Sequence, residues 1–222
     1  FDMCREEGAS LQRGMNYRLG GRRTVILMSR RPGAPYRDRI EDDGQVLIYE
    51  GHDAPKQHGG PEPKTIDQPA VSPGGSPTQN GHFQAAAHRA KSGEQKERVR
   101  VYEKIRDGIW AFNGVFELED AWVESDERRQ VFKFKLRVSE DQDNSGEHEV
   151  DASDLPHNRM IPSEVKLAVW KRDQGKCVVC GASNNLHFDH VLPFSKGGTS
   201  LVVDNVQLMC ARHNLGKRDR IE

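Results

Sequence analysis

Residues 177–213 read CVVCGASNNLHFDHVLPFSKGGTSLVVDNVQLMCARH, and a short pair of metal-binding residues stands at each end of this stretch. Cys177 and Cys180 form the first pair, Cys210 and His213 form the second, and 29 residues separate the two pairs. A gap of two residues lets one turn present two ligands to a tetrahedral zinc ion, at about 2.0–2.3 Å. Three buried free cysteines and an ordinary histidine are the alternative, but the paired spacing favours the metal. The pattern therefore predicts a closed, structural zinc site.

The second pair is expected on a helix, NVQLMCARHNLGKR (205–218), where positions three apart share one face. Since a zinc ion with four protein ligands has no open position for a substrate, other residues must carry any chemistry. Three of the cysteines crowd the C-terminal fifth of the chain, which fits a metal site in a reduced compartment better than a set of disulfides.

The stretch between the two pairs holds residues suited to hydrolysis. Asp189 and His190 stand side by side at the end of an apolar strand, Asn205 follows, and Asn214 comes directly after the last zinc ligand. Histidine titrates near neutrality and serves as a general base, while carboxylate and amide oxygens are hard ligands that suit Mg²⁺. Adjacent residues of a strand point to opposite faces, so Asp189 and His190 are expected to serve two sides of one phosphate. The set predicts metal-assisted phosphodiester hydrolysis.

Basic residues accompany this set. Asn214, Lys217 and Arg218 are spaced i, i+3 and i+4, so an amide and two cations are expected to face one DNA backbone. Lys196, in the turn SKGG, either contacts a phosphate or is an ordinary solvated lysine. The alternative for the whole set is an Asp-His pair that caps a strand within an inactive zinc module, but the zinc pattern and the two asparagines favour a nuclease.

The motifs CVVCG, LHFDHVLPFSKGG and DNVQLMCARHNLGKR together resemble the HNH endonuclease family. The resemblance implies a ββα unit that grips one divalent metal ion, Mg²⁺ or Mn²⁺, and that is braced here by zinc. It makes His190 the general base, Asp189 and Asn214 the metal ligands, and Asn205 the central residue that holds the loop. His213 departs from the family pattern, because it stands where a final zinc cysteine is common, and Asn214 then takes the metal-ligand place of the usual histidine.

The rest of the chain divides by charge. Residues 139–160 carry seven acidic residues against one basic residue and lack apolar periodicity, so they are expected to form an acidic linker. Residues 161–222 have a balance of +3 and residues 1–138 a balance of +2, so the net charge of −1 hides two segments that can present basic faces to DNA. We predict an N-terminal domain over 1–138 and a C-terminal domain over 161–222, which opens with a helix at Pro162.

The N-terminal segment is predicted to be largely β. Apolar runs at 23–29 and 45–51 indicate strands, as does the alternating run VFKFKLRV (131–138) with its lysines towards solvent, and HFQAAAHRAK (82–91) indicates a helix. Residues 53–81 hold six of the eleven prolines, so they form either a flexible segment or a functional loop. Several strands with one or two helices predict a small curved sheet or open barrel, and an α+β class for the whole chain.

The stretches PYRDRIEDDGQVLIYEG and TQNGHFQAAAHRA, with the β-rich tail up to VFKFKLRV, together resemble the SRA (YDG) domain. The resemblance implies a curved, PUA-like β-barrel that flips a modified cytosine such as 5-methylcytosine out of the duplex, stacks it between aromatic rings and reads its edge with an acid. The matching residues are Tyr36 and Tyr49 as the stacking pair and Asp38 as the edge reader, while core packing is the alternative for each tyrosine. The family's Tyr-Asp-Gly triplet is altered, with Phe-Asn-Gly at 112–114 or Arg-Asp-Gly at 106–108 in its place.

The two resemblances together imply an SRA–HNH fusion, a modification-dependent restriction endonuclease that binds double-stranded DNA and cuts it near a modified cytosine. Because each HNH unit cuts one strand, we expect a homodimer. No apolar run approaches the roughly 20 residues that a membrane-spanning helix needs, and the resemblance implies a bacterial, cytoplasmic enzyme. Two alternatives stay open: an HNH nickase that ignores modification, and a zinc-containing DNA-binding module without catalysis.

Overall fold

The computed structural model describes residues 2–139, 161–192 and 198–217 of the chain. The predicted acidic linker, 139–160, lies outside these ranges except for its first residue. The helices in the described ranges are α1 (Asp2–Glu7), α2 (Gln79–Lys91), α3 (Ser163–Arg172) and α4 (Ala211–Lys217). The strands there are β1 (Met15–Leu19), β2 (Arg23–Met28), β3 (Arg39–Glu41), β4 (Val46–Glu50), β5 (Arg98–Arg106), β6 (Ile109–Ser125), β7 (Gln130–Val138), β8 (Leu186–His190) and β9 (Val206–Cys210).

The N-terminal unit is built on one mixed sheet of seven strands, in the order β1-β2-β5-β6-β7-β4-β3. β2 and β5 run parallel, and the other neighbouring strands are antiparallel. The predicted strands at 23–29 and 45–51 are confirmed as β2 and β4, and VFKFKLRV forms most of β7. A C-terminal two-stranded sheet pairs β8 with β9. The α+β class predicted from the sequence is therefore confirmed.

The predicted barrel is not closed. Among residues 2–139, no strand pairing joins the two edge strands, β1 and β3. The sheet is nevertheless irregular, because the register of β6 on β7 shifts between Leu118 and Asp120, and such a bulge bends a strand. β3 is only three residues long and its first and last side chains are exposed, so it offers little backbone for a further pairing.

Helix α2 covers the apolar core of the sheet. Thr78 caps its first turn by accepting a hydrogen bond from the Gly81 N–H at 3.2 Å. Phe83 is fully buried and its ring centroid lies 5.5 Å from that of Phe134 on β7. The predicted helix over 82–91 is confirmed, and it begins three residues earlier, at Gln79.

The segment between β4 and α2, predicted to be either flexible or functional, is tied to the sheet by hydrogen bonds. Gln68 is buried, donates to the Gly51 carbonyl at 2.6 Å and accepts from the Phe132 N–H at 2.8 Å. Arg129, before β7, donates to the Pro63 carbonyl at 2.8 Å. These bonds satisfy backbone groups that a long connection would otherwise leave without partners.

The C-terminal unit packs α3 against the β8–β9 hairpin. Val165 and Val169 on one face of α3 contact Val206 and Leu208 of β9 in a small apolar cluster. Asp173, just after α3, accepts the Leu208 N–H at 2.8 Å and ties the helix to the strand. The helix predicted after Pro162 is thus confirmed. None of the helices in the described part of the chain is long and apolar enough to cross a membrane.

Candidate functional site

The metal-binding residues predicted from the sequence lie together. One ligand atom from each of Cys177, Cys180, Cys210 and His213 lies within 4.8 Å of the other three. The Sγ atoms of Cys180 and Cys210 are 3.8 Å apart, and His213 Nδ1 is 3.2 Å from Cys210 Sγ and 3.6 Å from Cys177 Sγ. Ligands at about 2.0–2.3 Å on a tetrahedron are separated by about 3.3–3.8 Å, so this Cys3His cluster fits a zinc ion.

The second ligand pair does not share one helix, which corrects the prediction for 205–218. Cys210 is the last residue of β9, and His213 lies in the short helix α4 that follows. Residues 206–210 pair with β8, with Cys210 opposite Leu186, because their apolar side chains are buried against α3. The ligands therefore come from a turn, a strand end and the start of a helix.

The first ligand pair lies on a tight turn. The Cys177 N–H donates to the Ala182 carbonyl at 2.8 Å, which closes the turn around Cys180. Burial raises the pKa of the Cys177 thiol, but backbone N–H donors, chiefly that of Cys210, outweigh it and lower the pKa to about 6. A thiol that ionises readily suits zinc, which binds the thiolate.

His190 ends β8 and its imidazole faces the loop that follows. Its Nε2 lies 2.9 Å from the hydroxyl of Ser200, a buried residue. Partial burial chiefly lowers the pKa of His190, Asp189 opposes this shift, and Lys217 adds to it. A pKa below 6.5 leaves the imidazole neutral near pH 7, which is the form that can accept a proton.

Asn205 holds the two ends of this loop together. Its side-chain oxygen accepts the Leu192 N–H at 2.7 Å, and its amide donates to the Leu192 carbonyl at 3.2 Å and to the Thr199 carbonyl at 3.0 Å. Gly198 lets the two ends of the loop approach each other, because a Cβ there would collide with the Leu192 carbonyl. One amide side chain thus fixes the chain on both sides of residues 193–197, which lie outside the described residues.

Asp189 forms an ion pair with Lys217. The Lys217 ammonium donates to Asp189 Oδ2 at 2.6 Å and to the His190 carbonyl. The Lys217 side chain is 1% exposed, so the expectation that it faces a DNA backbone is wrong. Its charge is buried against the strand end, and a buried charge requires a partner such as this carboxylate. The Asp189 carboxylate thus already holds a cation from the α4 side, and a metal ion bound there would share it with Lys217.

The other residues predicted to bind metal or DNA are Asn214, Lys196 and Arg218. Asn214 is half-buried in α4, directly after His213 of the Cys3His cluster. Its carboxamide oxygen and the Asp189 carboxylate are the hard donors that Mg²⁺ or Mn²⁺ accepts. Lys196 and Arg218 lie outside the described residues, so their predicted phosphate contacts stay predictions.

In the N-terminal unit the predicted stacking pair is divided between surface and core. Tyr36 is half-buried and its ring is parallel to the His52 imidazole, with centroids 4.9 Å apart. Tyr49 is 1% exposed, and its hydroxyl lies 2.9 Å from His52 Nε2. Because Tyr49 is packed into the sheet core, it is not exposed for stacking, which corrects that expectation. His52 is the ring that neighbours both tyrosines, with its centroid 6.1 Å from that of Tyr49.

No pattern in the sequence pointed to His52, which comes two residues after the end of β4. A glycine at position 14 makes room for it, since a Cβ there would lie 2.6 Å from His52 Nε2 and 2.8 Å from the Tyr49 hydroxyl. The backbone of His52 is fixed by Asn80, which accepts its N–H at 2.9 Å and donates to its carbonyl at 2.8 Å. Burial lowers the pKa of His52 to about 4, so the ring is neutral at pH 7.

Asp38 lies close to this group, with both carboxylate oxygens on backbone donors. Oδ2 accepts the Ser29 N–H at 3.2 Å and Oδ1 accepts the Glu50 N–H at 3.1 Å. Burial chiefly raises the pKa of Asp38 to about 7. Lys133, predicted to face solvent, is instead buried and pairs with Glu50 at 2.9 Å, because β7 is covered on both faces at this point. The region around Asp38 and Tyr36 is therefore a buried, charged and aromatic cluster.

Comparison with known proteins relates the C-terminal unit to a known family. Residues 177–220 match the model of the HNH endonuclease family. The C-terminal unit is therefore similar to an HNH endonuclease domain. The motifs that carried this resemblance in the sequence are the same ones that hold the Cys3His cluster and the Asp189–His190 pair. No curated protein matches the chain.

Solved structures of SRA domains are similar to this chain. The SRA domain of SUVH5 with fully methylated CG DNA matches at 26% identity with a TM-score of 0.43, over 64% of this chain and 86% of that one. The same domain with hemi-methylated CG DNA matches at 25% identity with a TM-score of 0.43, over 64% and 85% of the two chains. Arabidopsis thaliana SUVH6 in complex with SAM matches at 20% identity with a TM-score of 0.36, over 60% and 21%.

Removal of one cysteine ligand should empty the metal site. We expect one zinc ion per chain in the purified protein, and its loss from the Cys177→Ser variant together with early unfolding of the C-terminal unit, since structural zinc contributes directly to folding. Inductively coupled plasma mass spectrometry and thermal unfolding measure the two effects. Cys4→Ser is the matched control, because Cys4 lies outside the cluster. Full zinc content in Cys177→Ser would contradict the assignment.

Proposed function

We propose that the protein is a modification-dependent DNA endonuclease that binds duplex DNA containing 5-methylcytosine or a related base and hydrolyses a nearby phosphodiester bond. The observation that carries this proposal is the Asp189–His190 pair at the end of β8, within the segment that matches the HNH family. Two sets of contacts hold the backbone on either side of the pair. The Cys3His cluster lies at the other end of the hairpin, and the Asn205 side chain binds the loop. Both residues are therefore positioned before a substrate binds.

His190 is the general base in this proposal. Its neutral imidazole removes a proton from the attacking water, and the Ser200 hydroxyl at 2.9 Å from Nε2 orients the ring. Asp189 and Asn214 hold a divalent cation, Mg²⁺ or Mn²⁺, which when bound stabilises the charge that develops on the phosphate and the leaving oxygen. Lys217 positions the Asp189 carboxylate from the buried side. The Cys3His cluster, with four protein ligands, keeps a structural role.

Tyr36 and Asp38 are the residues that we assign to base recognition. Tyr36 already carries the stacked His52 ring at 4.9 Å and the Lys64 ammonium 4.1 Å from its ring centroid, so a base that stacks on Tyr36 must displace one of the two. Each Asp38 oxygen keeps a lone pair after its one backbone bond, so it can accept from the cytosine amino group. Unstacking a base costs a few kcal/mol, which stacking and hydrogen bonding in the pocket must offset. Since Tyr49 is in the core, His52 rather than Tyr49 is assigned as the second ring, and it must move away from Tyr36 for a base to enter between them.

A second candidate is an HNH nickase that ignores modification. The burial of Tyr49 favours it, because one of the two aromatic faces assigned from the SRA resemblance is covered. For the modification-dependent endonuclease, cleavage of both strands requires two HNH sites, and we propose that two copies of the chain provide them. Comparison of cleavage on modified and unmodified DNA separates the two candidates.

The main test is digestion of one plasmid in methylated, hydroxymethylated and unmodified forms, with Mg²⁺, with Mn²⁺ or with EDTA. We expect cleavage of a modified form in the presence of metal and none with EDTA. The His190→Ala variant should cut about 10²–10⁴-fold more slowly, because it lacks the general base, yet bind the modified duplex as well as the wild type. His88→Ala, on the exposed face of α2, is the matched control and should cut normally. Normal cutting by His190→Ala would exclude this residue as the base.

The pH dependence of cleavage should report the lowered pKa of His190. The neutral base is lost when the imidazole is protonated, so single-turnover rates should fall as the pH drops through its pKa, and burial places that midpoint below 6.5. The measurement is a rate profile from pH 5 to 8 with saturating metal. An acid limb centred above 6.5 would show that another group is titrating.

Tyr36 should determine binding of the modified base. Loss of its ring in Tyr36→Ala removes one stacking surface, worth about 1–3 kcal/mol per base, and should weaken binding of a methylated duplex about 5–150-fold. Fluorescence anisotropy on methylated and bare duplexes measures the ratio of affinities. Tyr17→Ala is matched to it, since Tyr17 is also half-buried and stacked on a histidine, at 5.2 Å from His82. An equal effect of both substitutions on the ratio would refute the assignment.

A further inference from the structure

Helix α3 contacts both units of the chain. Its apolar face, with Val165 and Val169, packs on the β8–β9 hairpin of the nuclease unit. Its polar side carries Ser163 and Lys166, which contact the N-terminal sheet at β5 and β6. The helix is therefore an element through which the two units contact each other.

The contact with the sheet is a buried polar network centred on Glu103 of β5. The Lys166 ammonium donates to Glu103 Oε2 at 2.6 Å and to the Asn113 side-chain oxygen of β6 at 2.6 Å. The Asn113 amide donates to the same Glu103 oxygen at 3.2 Å, and the Ser163 hydroxyl donates to the other. Glu103 is fully buried and Lys166 is 3% exposed. Burial raises the pKa of Glu103, but Lys166, Ser163 and Arg30 outweigh it and lower the pKa to about 2, while burial chiefly lowers the pKa of Lys166.

Such a network permits one relative position of the two units. An apolar patch tolerates sliding, but a charge separated from its partner in a buried contact costs about 3–5 kcal/mol. Glu103 and Lys166 come from different units. Both side chains are buried, so water does not reach either charge to replace its partner. A shift of even one helical turn would leave the Lys166 ammonium without its carboxylate and Glu103 with Arg30 as its remaining cationic partner.

The same network reaches the proposed base pocket through two consecutive residues. The Ser29 N–H donates to Asp38 at 3.2 Å, and the next residue, Arg30, donates to Ser163 at 2.8 Å and lies 3.4 Å from Glu103. The backbone that holds the Asp38 carboxylate is thus held in turn by α3. No part of this path depends on residues 140–160.

We propose that the Glu103–Lys166–Asn113 network fixes the nuclease unit relative to the base pocket, so that the chain cuts DNA at a set distance from the recognised base. These are positioning residues, since they contact neither DNA nor metal. The inference rests on the proposed function for its DNA readout, while the docking of the two units stands by itself.

The experiment maps cleavage on an end-labelled duplex with one modified cytosine. Wild-type protein should give a narrow set of cut positions. The double variant Glu103→Gln/Lys166→Met removes both charges, keeps side chains of similar size and should spread the cuts over more positions while zinc content and affinity for the modified duplex stay unchanged. Lys171→Met, which removes an exposed lysine from the same helix, is the matched control and should cut as the wild type does. An unchanged cut pattern in the double variant would overturn the proposal.

Small-angle X-ray scattering tests the docking without DNA. We expect a larger radius of gyration for the double variant than for the wild type and for Lys171→Met, because the units separate when the network is lost. An unchanged radius would also overturn the proposal. If the wild type instead cuts modified and bare DNA equally, the proposed modification dependence fails, and the scattering result still decides the docking.

Discussion

The clustering of three cysteines and one histidine is the constraint on which the nuclease unit depends. This unit has a core of only a few apolar residues on α3, β8 and β9, and so small a core rarely holds a fold alone. The cluster joins the turn at Cys177 and Cys180 to the end of β9 and to α4. Because β8 pairs with β9, the same constraint fixes Asp189 and His190 at the far end of the hairpin, where Asn205 and Lys217 complete their surroundings.

Much of the fold follows from local signals in the sequence. Apolar runs bounded by glycine and proline identify β2 and β4, and the run HFQAAAHRAK (82–91) identifies most of α2, because both signals lie within a few residues. Whether the sheet closes into a barrel cannot be predicted from such local signals, because closure depends on pairing between the edge strands β1 and β3. The strand Val206–Cys210 reads equally well as the start of a helix, and only its pairing with β8 decides the matter. The alternating pattern of β7 likewise predicts that Lys133 faces solvent, yet its side chain is buried and forms an ion pair with Glu50.

Some residues of the candidate sites can likewise be recognised from local sequence patterns, and others cannot. Zinc ligands are recognisable because the geometry of the ion imposes their spacing, and an Asp-His pair between them marks the strand end. Lys217 and Tyr49 were misplaced because spacing along a chain says nothing about burial: the lysine is buried on Asp189 and the tyrosine lies in the core. The contacts of His52 and of the Glu103–Lys166 network join residues far apart in sequence, so no local pattern announces them.

The measurement that tests this account most directly is an anomalous difference map, collected at the zinc absorption edge from crystals of the full chain. The account predicts one peak, about 2.3 Å from the Sγ atoms of Cys177, Cys180 and Cys210 and about 2.0 Å from His213 Nδ1. The electron density should place the His190 imidazole at the other end of the β8–β9 hairpin. A map without a peak among these atoms would contradict the account, and so would electron density from the same crystals that places the His190 imidazole in the protein interior.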